Sequence, residues 1–334
     1  MRLSIIIPAY KVENYIEKCI RSLEEQNLPQ SDYEIIVTND GSPDGSREIV
    51  EKLQQEFSNI ILINQENQGV SIARNTAIAI AKGNYLIPID PDDYILPNTL
   101  ETALKKAEKQ DLDVLYLAFE IFDVQGNSIW HTDYSQQHTQ IFKGVEGYFA
   151  SRGKLVRDPD RSCAILYRKS MLDTYQIKYP KAVPFLEDGC FLIKVFSVAQ
   201  RVGFDNNKFY QRTTSIGSAT VTGVYYSDKA INGFLNAALD IKKFGETQTL
   251  APRQLGLINH GTVNFVLLSL FPLVSLDSLE RLFQTVKKIK SLGFLKLPIA
   301  GVVHPYSQYA SNFNKSPYYF ILMYFKEKAI KKYF

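Results

Sequence analysis

The chain has 334 residues, 45% of them apolar and 22% charged, with 18 Gly and 14 Pro; that is enough for the cores of about two domains and leaves little room for extensive disorder or a collagen-like repeat. Its three cysteines, Cys19, Cys163 and Cys190, are far apart and odd in number, which excludes a disulfide framework or paired zinc knuckles and points to a reducing compartment. The net charge of +3 hides an uneven spread: residues 1–225 hold 24 Lys+Arg against 29 Asp+Glu, and residues 226–334 hold 14 against 6, a basic third of the kind that meets phosphate on nucleic acid or anionic lipid.

After Met1 and Arg2 the apolar run 3–10 stops at Lys11, too short for the apolar region of a signal peptide. Its β-branched part, Ser4–Ile7, reads as a strand buried on both faces. Val12, Tyr15, Ile16, Cys19, Ile20 and Leu23 then recur at helical spacing, with Cys19 on the core face. Residues 34–38 form a second strand, and a helix from near Ser46, read as its N-cap, buries Ile49, Val50, Leu53 and Phe57. A third strand at 60–63, a helix at 71–81 ended by Gly83 and a fourth strand at 85–89 complete a βαβαβαβ order. Such an order predicts an α/β fold with a mostly parallel sheet and helices on both faces.

Beyond residue 110 the pattern loosens. Residues 113–122 and 163–168 read as strands, and 189–199 as a helix begun by Glu187-Asp188. From about Tyr226 the chain is helical throughout. Its longest uncharged stretch, 254–276, carries Asn259, His260, Asn264 and Pro272, which argues against a spanning helix. None of the four histidines (His131, His138, His260 and His304) takes part in a ligand spacing.

In a sheet of this kind ligands sit beyond the carboxyl ends of the strands. Three ends carry special residues: Pro8-Ala9-Tyr10, Asn39-Asp40-Gly41-Ser42 and Asp90-Pro91-Asp92-Asp93. The last places three carboxylates on four residues, which suits a hard cation with diphosphate oxygens, or a solvated loop leading to a helix capped by Asn98. Asn-Asp-Gly is turn chemistry, and equally an acceptor carboxylate for a base or ribose. Arg74, early in a helix where a cation opposes the dipole, points to an anionic partner or a loop carboxylate.

Together, Ile-Ile-Ile-Pro-Ala-Tyr (5–10), Asn-Asp-Gly-Ser (39–42), Val-Ser-Ile-Ala-Arg-Asn (70–75) and Ile-Asp-Pro-Asp-Asp (89–93) resemble the nucleotide-sugar-binding half of the family-2 inverting glycosyltransferases, which have the Rossmann-like GT-A fold. The resemblance is strong over 1–105, weaker to about 215 and absent beyond. It implies that Pro8, Tyr10 and Glu13 hold the nucleotide, with the tyrosine against the base. It also implies that Asp40 accepts from the base with Arg74 close by, and that Asp90 and Asp92 form the family's D-x-D, with Asp92 the ligand of a Mn²⁺ or Mg²⁺ ion on the diphosphate. Within Phe185-Leu186-Glu187-Asp188-Gly189, Asp188 matches the family's general base. Lys11 departs from the Asn that many members carry after the tyrosine. Tyr210-Gln211-Arg212, with Ser215 and Ser218, loosely matches a loop over the diphosphate, and Arg212 reads equally as surface charge.

Three parts are expected: 1–105 for the nucleotide-sugar, 106–225 for the acceptor and the base, and 226–334 as a basic helical C-terminal region. The expected activity is transfer of a sugar from a nucleotide-diphospho-sugar, UDP-sugar favoured, to a hydroxyl of a glycan or lipid-linked acceptor in bacterial cell-surface polysaccharide synthesis. A non-catalytic sugar-nucleotide-binding protein or scaffold and a sugar-phosphate nucleotidylyltransferase are the alternatives, although the latter wants a Gly-rich loop after the first strand. No G-x-G-x-x-G follows a strand and no G-K-[ST] occurs. A processive synthase needs a late tryptophan, and the only one is Trp130. Nucleic acid is not expected as a partner; a homodimer is possible. Ser316-Pro317 reads as N-cap and N1 of a last helix along which Tyr318, Leu322, Phe325, Ala329 and Tyr333 form an apolar stripe flanked by lysines. That helix either packs on protein or lies on an anionic membrane, making the chain cytoplasmic and peripheral at the inner face of the plasma membrane.

Overall fold

The computed structural model describes residues 1–123, 125–152, 160–213, 227–273 and 279–333, so Ser215 and Ser218 lie outside the described residues. The chain forms two compact units, Met1–Tyr179 with Val198–Ser218, and Pro180–Ser197 with Ala219–Phe334.

The first unit is built on β1 (Leu3–Ala9), β2 (Tyr33–Asp40), β3 (Ile60–Gln65) and β4 (Tyr85–Pro88), linked by α1 (Ile16–Glu24), α2 (Ser46–Glu56) and α3 (Val70–Ile80). Every residue of β1, β2 and β4 is buried, the consequence of apolar runs covered on both faces. β1 runs parallel to β2 and β4, and β2 parallel to β3, as the βα alternation requires. Then follow β5 (Tyr94–Ile95), α4 (Leu100–Lys109), β6 (Val114–Phe122), β7 (Ser128–His131), α5 (Gly144–Ala150), β8 (Ile165–Arg168), α6 (Lys169–Thr174) and β9 (Val202–Thr213). The sheet order is β3-β2-β1-β4-β8-β6-β9-β5, with β7 on β6. Antiparallel pairing enters beyond β4, because β8 runs against both β4 and β6, while β6 and β9 are parallel. The sheet is therefore mixed, with helices on both sides.

Several local expectations change. Ser46 is the first helical residue of α2 rather than its cap: its hydroxyl donates to Asp44 Oδ1 (2.6 Å) and accepts the Val12 N–H (3.0 Å), tying the loop after β1 to the helix. Asn98 does not cap α4; Gln26 Oε1, reaching over from beyond α1, accepts the N–H groups of Thr99 (3.0 Å) and Leu100 (3.1 Å). Lys11 sits at φ +57°, in the left-handed region that Asn tolerates better than most side chains, which gives a physical reason for Asn at this position in relatives. Residues 210–212 are no loop but the end of β9, with Tyr210 and Gln211 buried.

The second unit is helical: the start of α7 (Glu187–Val198), then α8 (Asp228–Thr247), α9 (Pro252–Leu268), α10 (Leu279–Ser291), α11 (Tyr306–Lys315) and α12 (Pro317–Tyr333). Lys194 of α7 pairs with Asp240 of α8 at 2.6 Å, and Gly261 of α9 lies so near Ile193 that a Cβ would sit 2.4 Å from its Cδ1. Ser316 Oγ accepts the Tyr318 N–H (3.2 Å) with Pro317 opening α12, the cap expected. α12 divides its apolar residues: Phe320 is fully buried against Phe271 and Tyr309, whereas Tyr318 and Leu322 are exposed. Among the described residues no helix is long and apolar enough to cross a membrane.

Candidate functional site

The carboxyl ends of β1, β2 and β4 meet at a cavity of about 350 Å³, lined among others by Pro8, Tyr10, Asp40, Asn67, Asp90 and Asp92. The parallel register brings them there. Asn39 of β2 lies opposite Ala9 of β1 and Asn64 of β3, so Asp40 follows beside Gln65 at the same edge.

Asp40 is buried and its carboxylate organises the next loop. Oδ1 accepts the Gln68 N–H (2.9 Å) and Gln65 Nε2 (2.7 Å), Oδ2 accepts the Gly69 N–H (2.8 Å), and the main-chain carbonyl accepts Asn67 Nδ2 (3.0 Å). A carboxylate offers about four lone-pair sites, so these three bonds leave room for one further donor from the cavity. The Asn-Asp-Gly-Ser turn is thus both structural and site-forming. Asn39 Oδ1 accepts the Ser42 N–H (3.1 Å), Ser42 Oγ accepts the Lys11 N–H (2.8 Å), and Gly41 at φ +67° passes so near Asn67 that a Cβ would lie 3.0 Å from its nitrogen.

Tyr10 is 43% exposed at the cavity wall, with Lys11 Nζ 5.3 Å from its ring centre. Arg74 of α3 is buried; its guanidinium bonds Asp90 Oδ1 at 2.9 Å and lies 5.0 Å from the Tyr179 ring. The loop carboxylate that receives this arginine is therefore Asp90. Glu13 is not among the lining residues: its carboxylate accepts the Gly45 N–H (2.8 Å) and fixes the turn into α2.

The acidic turn after β4 is divided by its surroundings. Asp93 is buried, with Oδ2 accepting the Tyr210 hydroxyl (2.7 Å) and Oδ1 the Thr213 N–H (2.9 Å). Burial, and then the charges of Asp90 and Asp92, push its carboxyl well above the usual range. Tyr210 also accepts the Asp90 N–H (3.2 Å), and Thr213 Oγ1 donates to the Asp92 carbonyl (2.6 Å), so β9 braces the turn. The loop 65–69 was not marked by sequence, and Tyr210 only as part of a loose match to a loop over the diphosphate; the paired aromatics Phe209-Tyr210 ending a run with Val202 and Phe204 are the strand signal that points to its place in β9. Asp188 belongs to the second unit, where Glu187 and Asp188 form the acidic first turn of α7 and complement its dipole.

With this geometry in place, the family profile described as Glycosyl transferase family 2 is found to match residues 4–175, more than half of the chain. The chain belongs to glycosyl transferase family 2. Among its family-2 relatives, it is 31% identical over 215 residues to the uncharacterized glycosyltransferase EpsJ of Bacillus subtilis, covering 60% of this chain and 57% of that protein. It is 26% identical over 228 residues to the poly(ribitol-phosphate) beta-N-acetylglucosaminyltransferase TarS of Staphylococcus aureus, covering 68% of this chain and 38% of that protein. The family-2 chain thus spans little more than half of EpsJ and well under half of TarS. The crystal structure of TarS 1-349 with UDP-GlcNAc superposes with a TM-score of 0.71 at 20% identity, covering 98% of this chain and 92% of that one, a likeness of fold.

The family implies a divalent cation, and the acidic turn fits one in a restricted way. Among the described residues no three His, Cys, Asp or Glu side chains converge as a cage. Asp90 is paired with Arg74 and Asp93 is held by β9, while Asp92 lines the cavity. One carboxylate with diphosphate oxygens and water is how Mg²⁺ is commonly bound at phosphates, so the residues suit a cation that arrives with a diphosphate.

Proposed function

We propose that this chain is an inverting glycosyltransferase that moves a sugar from a nucleotide-diphospho-sugar, most simply a UDP-sugar, to a hydroxyl of a glycan or lipid-linked acceptor. The observation that carries the reading is the cavity at the ends of β1, β2 and β4, with Asp40, Asp90 and Asp92 on its walls. UDP-GlcNAc in the TarS structure supports the choice of donor.

In this reading the Asp40 carboxylate, preorganised by its three hydrogen bonds, accepts an N–H of the base, and the exposed Tyr10 ring lies along the base. Arg74 holds Asp90 in place at the cavity wall. Asp92 would hold a Mg²⁺ or Mn²⁺ ion, which when bound would supply Lewis-acid stabilisation of the charge gained by the departing diphosphate. Asp188 takes the proton of the acceptor hydroxyl, which must come within about 3 Å of its carboxylate. A single displacement then inverts the anomeric centre.

The setting proposed is bacterial cell-surface polysaccharide synthesis at the cytoplasmic face of the membrane. Support for peripheral attachment comes from one surface of the second unit. Leu279 and Phe283 on α10 and Tyr318 and Leu322 on α12 are 57%, 54%, 41% and 64% exposed, and the Phe283 and Tyr318 rings lie 5.3 Å apart. Exposed aromatic and aliphatic groups grouped on a basic unit suit an interfacial position. A panel of nucleotide-sugars incubated with the protein and Mn²⁺ tests the activity. Slow hydrolysis of a UDP-sugar is expected, and binding without turnover of any donor, even with candidate acceptors added, would replace the enzyme by a sugar-nucleotide-binding protein.

A further inference from the structure

The second unit contains a cavity of about 630 Å³ that the transferase reading leaves unused. It opens between α8, α9 and the loop that follows α10, and its volume is in the range of small-molecule sites. Its apolar wall includes Leu255 and Ile258 of α9 and Leu297 of the loop. Its charged lining is two cations and one carboxylate: Lys242, 5.4 Å from the Phe294 ring centre and 3.9 Å from the Glu246 carboxylate, and the exposed Lys296.

The surface around the cavity is apolar as well. Leu255, which also lines it, is 43% exposed; Leu295, Ile299 and Val303, along the same loop, are 68%, 47% and 38% exposed. A site for a water-soluble anion needs no such border. A second copy of this chain would bring another unit of net positive charge against this one, since residues 226–334 carry 14 Lys+Arg against 6 Asp+Glu, and like net charges oppose that pairing. An amphiphile with a negative head and a hydrocarbon tail matches both features at once.

We propose that the cleft between α8, α9 and the 293–298 loop binds an anionic lipid, its phosphate between Lys242 and Lys296 and its chain along Leu255, Ile258 and Leu297. Leu295 and Ile299 enter the hydrocarbon beside it, so the loop is a membrane contact. The proposal does not rest on the donor site, and it uses a different surface from that of α10 and α12.

The test uses the full chain sedimented with phosphatidylcholine vesicles, with and without phosphatidylglycerol. Three variants are compared with wild type: Lys242→Glu with Lys296→Glu, Leu295→Asp with Ile299→Asp, and Leu322→Asp on α12. Wild type should pellet only with the anionic vesicles, and each double variant should lose that partitioning by about tenfold or more, with circular dichroism and donor turnover unchanged. Short-chain phosphatidylglycerol should bind wild type in calorimetry and inorganic phosphate should not. No pelleting by wild type, loss confined to Leu322→Asp, undiminished pelleting of both double variants, or equal binding of inorganic phosphate would each overturn the proposal; so would a dimer that the double variants dissolve.

Discussion

Replacing Asp40 by Asn changes a single atom type and should be felt twice. In the wild-type chain the carboxylate accepts the Gln68 N–H, the Gly69 N–H and Gln65 Nε2 at 2.7–2.9 Å, all within a buried environment. An amide can keep the two bonds on one oxygen, but its NH₂ must then face the Gly69 N–H, donor against donor. A hydrogen bond to a charged group contributes about 1.5–3 kcal/mol, so Asp40→Asn should destabilise the first unit by about 2–3 kcal/mol. The second effect is on the donor: if Asp40 accepts from the base, the loss of that bond should weaken UDP binding by about 10- to 150-fold. Urea denaturation gives the first number and calorimetric titration of UDP the second, with binding measured where the variant is still folded. Unchanged stability would mean that the carboxylate does not organise the 65–69 loop. Unchanged UDP affinity in a folded variant would remove Asp40 from base recognition.

Asp92→Asn should abolish transfer and weaken donor binding chiefly when Mn²⁺ is present; equal metal-dependent binding by variant and wild type in calorimetry removes Asp92 from cation binding. Asp188→Asn should keep UDP affinity and lose about 10²–10⁴-fold in turnover, the range for a lost general base, and a loss below tenfold assigns the proton to another group. Asp93→Ala strands the buried Tyr210 hydroxyl and should cost about 2–3 kcal/mol, whereas Asp93→Asn, which can still pair with Tyr210 and Thr213, should cost under about 1 kcal/mol; equal losses in thermal denaturation would contradict this. Gly83→Ala should destabilise by about 2–3 kcal/mol or more, since its Cβ would sit 2.4 Å from Leu3 and Ser4 backbone atoms, and a melting temperature like that of wild type would refute the close approach.

β1, β2 and β4 were legible because burial on both faces demands continuous apolar runs, β3 because its Ile-Ile-Leu-Ile run keeps the same pattern although it is only partly buried, and the special residues because they interrupt those runs at one end. The later strands lack such a signature. β5 is two residues long and β7 is largely exposed, so neither shows a period. β9 carries an exposed Asn206-Asn207-Lys208 stretch where its register on β6 shifts, and a polar stretch of that kind reads as a turn until the partner strand is known. Pairings between distant segments leave little local trace. The Tyr210–Asp93 bond joins residues 117 apart, and two of the three groups that the Asp40 carboxylate holds in the 65–69 loop are main-chain N–H donors, which any residue but proline supplies.

The acidic turn shows why neither simple reading of Asp90-Pro91-Asp92-Asp93 suffices. Three ionised carboxylates on four residues repel one another, and a solvated loop would screen them. Here Asp93 is only 3% exposed, so screening cannot relieve it. The fold separates the three instead. Arg74 neutralises Asp90 across 2.9 Å. Burial, reinforced by its two acidic neighbours, raises the Asp93 carboxyl toward its neutral form, and Tyr210 and Thr213 fix it to β9. With one charge paired and another raised toward its neutral form, Asp92 stands at the cavity with less repulsion than the sequence implies.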